Sequence, residues 1–113
     1  MSYTMNIEIE MTDIESIKAA AEKLNARCEE GRFKLYQTTE IGTGIFFKHS
    51  EHPMVITNHG IKYDEDYTHL KTINNFIANY GVEKAKKEAR MKGYNFTETK
   101  EPNGDIKLII NYI

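Results

Sequence analysis

The sequence predicts a small α+β domain that combines a sheet with two helices. Three observations support this class: an N-terminal segment that alternates apolar and polar residues, two segments with helical apolar spacing, and a pair of strand-like segments around a turn near the end. With 113 residues the chain has the usual size of one domain. We therefore treat 1–113 as a single α+β domain.

The first strand and the first helix follow from the opening residues. Odd-numbered positions from Tyr3 to Met11 are apolar and the positions between them are polar. This period of two is typical of a strand with one buried face, so we expect the odd-numbered side chains to be buried. Thr12, with Glu15 three residues later, has the spacing of a capping box and predicts an amphipathic helix over 13–25.

The middle of the chain, 27–65, favours a meander of three or four short strands. Apolar, β-branched and aromatic runs alternate there with turn residues such as His49–Pro53 and Asn58–Gly60. The segment Gly42–Gly44 has two interpretations. It is either a bulge or tight turn between strands, or a loop whose backbone amides approach a phosphate, although it lacks the lysine and following helix of a P-loop.

The last third predicts a long helix and a hairpin. Apolar spacing is helical over 66–92, but the apolar stripe changes phase at Gly81, so either one bent helix or two helices meet there. Gly93 stands where a helix commonly ends. A turn over 102–105 precedes alternating apolar residues over 106–112, which indicates a β-hairpin.

Together these elements give the order β-α-β-β-(β)-β-α-β-β. We expect an antiparallel or mixed sheet with the two helices packed on one face, which is distantly ferredoxin-like. The single cysteine, Cys28, excludes an intrachain disulfide and fits a reducing compartment. No segment has the pattern of a signal peptide or a membrane span, so we expect a cytoplasmic location.

The composition and motifs favour binding over catalysis. The net charge of −2 does not indicate a nucleic-acid partner. Neither a nucleophile–base pair nor a paired acid and base stands out, so no catalytic residue is predicted. Cys28 is interpreted as a small, buried apolar residue, and His49, His52 and His59 as exposed loop histidines rather than metal ligands, so no metal or cofactor is expected.

Charge and tyrosine distribution suggest where a ligand would bind. Residues 1–66 carry 12 Asp and Glu against 7 Lys and Arg, whereas residues 67–113 carry 8 Lys and Arg against 5 Asp and Glu. Lysine and arginine, which bind anionic groups, cluster at the end of the second helix. Tyrosine joins an apolar ring to a polar hydroxyl and is therefore suited to line a pocket. The predicted ligand-binding residues are Arg90, Lys87, Tyr80, Tyr63 and Lys84.

The C-terminal half resembles a known family. The segment from Tyr80 to Arg90, then Gly93-Tyr94 and 104–108, is similar to a domain of unknown function found in a small conserved open reading frame of chloroplast genomes, with cyanobacterial, bacterial and phage relatives. Ser2-Tyr3 and 13–17 extend the resemblance to the start of the chain. It implies an α+β fold and no catalytic residues.

From these features we expect a non-enzymatic binding protein. The predicted form is a homo-oligomer that binds or sequesters a small anionic, nucleotide-like ligand, and the phage relatives suggest counter-defence as one setting. The alternative is an adaptor that binds a protein partner through a sheet edge or the long helix. An enzyme of unknown class is third.

Overall fold

The computed structural model describes residues 3–48 and 50–111 and shows a small α+β fold. Its described elements are two helices and seven strands. The helices are α1 (Ile14–Lys23) and α2 (Leu70–Met91). The strands are β1 (Thr4–Ile7), β2 (Arg27–Lys34), β3 (Thr39–Phe46), β4 (Met54–Thr57), β5 (Gly60–Asp64), β6 (Asn95–Lys100) and β7 (Ile106–Asn111). The predicted class and element order are confirmed.

The strands form two separate antiparallel sheets. The larger has the order β1-β5-β4-β3-β2, so the meander from β2 to β5 keeps its chain order and β1 pairs with β5 at one edge. The smaller is the β6–β7 hairpin, which packs on α2 instead of joining the larger sheet. The described strands thus form two sheets and not the single sheet that the sequence predicted, whereas the predicted number of strands holds for the described residues.

Both helices pack on one face of the larger sheet, where most of the core lies. The core side chains come from the central strands and from the inner faces of the helices, and several are fully buried. They are Met11, Ile17, Ala20, Ala21, Ile45, Met54, Ile56, Ile61, Tyr63, Ile73, Phe76 and Tyr80. Burial of this size is the main favourable term in folding, since each large apolar side chain contributes about 1.5–3 kcal/mol.

The opposite face of the sheet has a second, smaller core beneath the β2–β3 connection. Leu35, Phe46 and Val55 are buried there. The connection reaches across to the far edge of the sheet, where Gln37 N–H donates to Thr4 Oγ1 over 3.0 Å and Thr4 N–H donates to Gln37 Oε1 over 2.9 Å. The connection between β2 and β3 therefore extends over this face of the sheet and is hydrogen-bonded to β1 at the opposite edge.

Strand β1 differs from the sequence prediction. It spans only four residues, and although Ile7 and Ile9 are partly buried, Tyr3 and Met5 are 47% and 40% exposed. The expectation that all odd-numbered side chains are buried was wrong for these two. The reason is position, because β1 is an edge strand that has a neighbour only on the β5 side.

Helix α1 begins one residue later than the capping-box spacing predicted. Asp13, not Thr12, is the N-cap, and its carboxylate accepts a hydrogen bond from Ser16 N–H over 3.3 Å. Both residue types cap helices well, so the sequence offered two adjacent candidates. Glu15 lies in the first turn, where its negative charge suits the helix dipole.

Helix α2 runs without interruption through Gly81, and its two apolar stripes face different partners. Ile73 and Phe76, before the glycine, are buried in the main core. After it, Val82 lines a groove with Ile106 of the C-terminal hairpin, and Ala89 is 2% exposed but lies outside the main core. The change of phase at Gly81 therefore marks a change of packing partner within one helix.

The segment Gly42–Gly44 lies inside β3 and is not a turn. A Cβ at position 42 would collide with the carbonyl oxygen of Ile56 on the neighbouring strand, and one at position 44 would lie 2.7 Å from Cζ of Phe33. Both glycines are explained by close approach of neighbouring atoms. This placement also removes the phosphate-loop interpretation, since the amides of β3 pair with adjacent strands.

Candidate functional site

A partly enclosed pocket lies between α1, α2 and the C-terminal hairpin. Its volume is about 280 Å³, which is just below the range of about 300–1,000 Å³ typical of small-molecule sites. We call it the hairpin pocket. Its lining residues are Lys23, Leu24, Asn75, Asn79, Glu98, Lys100, Gly104 and Ile106.

One wall of the hairpin pocket is a cluster of lysines around a carboxylate. Lys23 Nζ lies 2.6 Å from Glu98 Oε1, and Lys86 Nζ lies 2.7 Å from Glu98 Oε2. Lys86 also lies 3.6 Å from a carboxylate oxygen of Glu83, and Lys100 lines the pocket from the same strand as Glu98. The hydrogen bonds from Lys23 and then Lys86 lower the pKa of Glu98. The three ammonium groups outnumber the two carboxylates, so the cluster is positively charged.

The other walls supply amide and apolar groups. Asn79 is 3% exposed, and its Nδ2 donates to the backbone oxygen of Asn75 over 2.8 Å, which fixes its side chain on α2. Leu24 and Ile106 supply apolar surface from the end of α1 and from β7. Polar groups that converge on a partly apolar cavity are the usual composition of a ligand site.

Two of the predicted site residues meet at the start of α1 and not at a pocket. Lys87 Nζ lies 3.1 Å from both carboxylate oxygens of Asp13 and 3.2 Å from Glu15 Oε2. Tyr80 is buried, and its hydroxyl accepts a hydrogen bond from Asp13 N–H over 3.2 Å. The contact with Asp13 raises the pKa of Lys87, and Lys87 lowers the pKa of Asp13. This cluster joins α2 to the N-terminus of α1.

The other three predicted site residues lie apart from that cluster. Tyr63 is buried in the main core on β5. The Arg90 guanidinium lies 5.7 Å from the ring centroid of Phe96, on an exposed part of α2. Lys84 is half-buried on α2. The structure thus brings Tyr80 and Lys87 together, but none of the five lines the hairpin pocket.

A second polar cluster lies on the opposite face of the sheet, around a buried carboxylate. Asp64 is 0% exposed and accepts hydrogen bonds from Thr4 Oγ1 and from Tyr36 N–H. His52 Nε2 lies 2.6 Å from Asp64 Oδ2, and the His52 ring stacks on Tyr67 with centroids 4.2 Å apart. His52 is therefore part of a packed cluster, and the expectation of an exposed loop histidine was wrong for this residue.

The remaining thiol and imidazole candidates offer no further site. Cys28 is half-buried on β2, and this burial is the main reason that the pKa of its thiol is raised. A raised pKa disfavours the reactive thiolate. His59 lies in the exposed β4–β5 turn, and His49 lies outside the described residues. Within 3–48 and 50–111, no group of three or more His, Cys, Asp or Glu side chains could hold a metal ion.

Sequence reasoning missed the hairpin pocket for a definable reason. Its residues come from three segments, and their proximity depends on how the C-terminal hairpin returns along α2. One signal was available: Glu98 and Lys100 lie on the same face of β6 as Phe96, where further apolar residues would otherwise be expected. A charged pair on the packed face of a strand indicates a partner on the facing element.

None of the helices in the described ranges is both long enough and apolar enough to cross a membrane. No protein-family model, curated protein or solved structure matches the chain. The resemblance to the family of chloroplast open reading frames remains a prediction.

Proposed function

We propose that the protein is a non-enzymatic binding protein that holds a small anionic, nucleotide-like ligand in the hairpin pocket. The observation that carries the proposal is the excess of lysine over carboxylate around Glu98, which lines the hairpin pocket with Lys23 and Lys100. The predicted ligand class is retained, but the residues that would bind it are different. Lys23 and Lys100 take the place of Lys87 and Arg90.

The charge arrangement favours an anion in a specific way. The Lys23 side chain is 34% exposed although its ammonium group is paired with Glu98. Ammonium groups donate three hydrogen bonds, so Lys23 and Lys100 can bind a phosphate or carboxylate while Glu98 remains paired with Lys86. Glu98 fixes Lys23 in place, which reduces the entropy lost when a ligand binds.

The neutral walls define the rest of the ligand. The carboxamides of Asn75 and Asn79 suit the hydrogen-bonding edge of a ring or sugar, and Leu24 and Ile106 suit an apolar surface. We expect the anionic group to lie against the lysines and the adjoining atoms to lie against these neutral walls, with any remaining atoms exposed along the neighbouring groove beside Gly104.

The proposal is tested by calorimetric titration with inorganic phosphate and with adenosine monophosphate. Lys100→Ala should weaken binding of both, because it removes one of the two ammonium groups proposed to contact the anion. Lys107→Ala is the matched control, since Lys107 lies on β7, is exposed, and does not line the pocket. If both variants bind like the parent, or if neither probe binds the parent at low ionic strength, the hairpin pocket is not an anion site.

A further inference from the structure

The cluster around Asp64 includes a half-exposed aromatic surface. Tyr36 and Tyr67 are 51% and 48% exposed, their ring centroids are 5.7 Å apart, and Tyr36 Oη donates to Tyr67 Oη over 2.8 Å. His52 stacks on Tyr67 with an angle of 20° between the rings. Three aromatic rings, those of Tyr36, His52 and Tyr67, therefore lie together on this surface.

The buried carboxylate of Asp64 anchors the His52 ring and the backbone of Tyr36. The Tyr36 backbone donates to Asp64 Oδ2 over 2.9 Å, and His52 contacts the same oxygen over 2.6 Å. The turn that carries His52 is closed by Ser50, whose Oγ donates to His52 O over 3.0 Å. Because the His52 ring is held by this buried group and stacks on Tyr67, these two rings need little reordering when a ligand binds.

The pocket beside these rings is acidic. Its volume is about 470 Å³, and its lining is Ser50, Glu51, His52, Asp66 and Tyr67. Glu51 and Asp66 are both exposed. Arg27 approaches Glu51 only at 3.7 Å and lies over the ring of Phe46. The lining therefore contains two exposed carboxylates and neither lysine nor arginine.

We propose that this pocket binds a small organic cation, such as a quaternary ammonium or a guanidinium group, against the rings of Tyr67 and His52 and beside the carboxylates of Glu51 and Asp66. Aromatic faces attract cations through their quadrupole, and the attraction is largest when the cation is partly desolvated. An adjacent carboxylate adds a Coulomb attraction that a neutral ligand of the same shape lacks. This proposal is independent of the hairpin pocket, which has the opposite charge.

The test uses choline and its neutral isostere 3,3-dimethylbutan-1-ol, titrated into the full chain while tyrosine fluorescence and amide shifts are recorded. Choline should bind more tightly than the alcohol. Tyr67→Ala should weaken choline binding by about three- to thirtyfold, whereas Tyr67→Phe, which keeps the ring, should retain most of it. Tyr3→Ala is the matched control, because Tyr3 is 47% exposed and precedes β1 at the edge of the sheet.

The outcomes are distinct. Preference for choline over the alcohol, lost in Tyr67→Ala and kept in Tyr3→Ala, supports the proposal. Equal binding of choline and the alcohol, equal binding by parent and Tyr67→Ala, or no choline binding to the parent would each overturn it. Circular dichroism checks that Tyr67→Ala is folded. If it is not, Asp66→Asn, an exposed substitution beside the Tyr67 ring, is the second variant, and it should also lose choline affinity. Phosphate titration reports separately on the hairpin pocket.

Discussion

Replacing Asp64 should reveal how much the buried carboxylate contributes to the fold. Its two oxygens connect three parts of the chain: Thr4 in β1, Tyr36 in the β2–β3 connection and His52 before β4. Asp64→Ala removes the acceptor for all three and leaves a small cavity at a position with 0% exposure. The effect should therefore exceed that of any exposed acidic residue.

The magnitude follows from the contacts. Hydrogen bonds to charged groups contribute about 1.5–3 kcal/mol each, but a donor that water can reach loses less. Tyr36 is exposed and Thr4 is partly buried, so water can replace the carboxylate at those two donors. We therefore expect a loss of about 3 kcal/mol in the free energy of unfolding. For a chain of this size that corresponds to a fall of about 13 °C in Tm.

The assay is urea unfolding followed by circular dichroism, with Asp66→Ala as the control because Asp66 is exposed two residues away. Asp64→Asn should lose less than Asp64→Ala, since a carboxamide keeps the volume and one acceptor oxygen. Combining Asp64→Ala with His52→Ala should cost less than the sum of the two single changes, because both remove the same contact. If Asp64→Ala unfolds within about 0.5 kcal/mol of Asp66→Ala, the cluster does not stabilise the fold and this reasoning is refuted.

Three further results are expected. Lys87→Met should destabilise the protein at neutral pH, and the difference in stability from the parent should shrink as the pH falls below 3.8. The reason is that the pKa of Asp13 is lowered from 3.8 in the folded protein, so the stabilising charge of Asp13 is complete above that pH and is lost as the pH falls through the folded pKa. Equal urea midpoints at neutral pH would show that the Lys87–Asp13 pair does not contribute to stability. The hydrogen bond with Tyr67 raises the pKa of Tyr36 to about 12. In an absorbance titration, Tyr67→Phe should therefore return the pKa of one tyrosine towards its ordinary value. An unchanged titration curve would contradict the contact between the two hydroxyls. A chelator should leave Tm unchanged, as expected for a chain whose described residues hold no metal-ligating group of three; a fall that zinc reverses would show a site.

Local patterns predicted the elements well, and the limits arose from tertiary placement. The hairpin turn before Ile106 and the C-terminal glycine of α2 depend on nearby residues, so the sequence was sufficient for both. The burial of Met5 was mispredicted because alternation defines a face but not whether that strand lies at a sheet edge. Similarly, the apolar phase change at Gly81 could not show that the C-terminal hairpin would cover the second stripe.

The candidate sites were less predictable than the fold. His52 and Asp64 are twelve residues apart, and their contact depends on the register of the β4–β5 hairpin, in which Val55 pairs with Lys62. A one-residue slip in that register would turn Asp64 to the other face. Lys23 and Glu98 are separated by 75 residues, and no local pattern connects them. Proximity of this kind becomes visible only when the layers are assembled.

The close contact between Gly44 and Phe33 has a consequence for how relatives of this protein can be identified. An added Cβ at position 44 would lie 2.7 Å from Cζ of Phe33, so alanine fits there only if the ring moves or is replaced by a smaller side chain. Across homologous sequences the two positions should therefore covary, with glycine opposite an aromatic residue and a larger residue opposite a small one. Such covariation would identify a shared β2–β3 hairpin even where overall sequence identity is too low to be recognised.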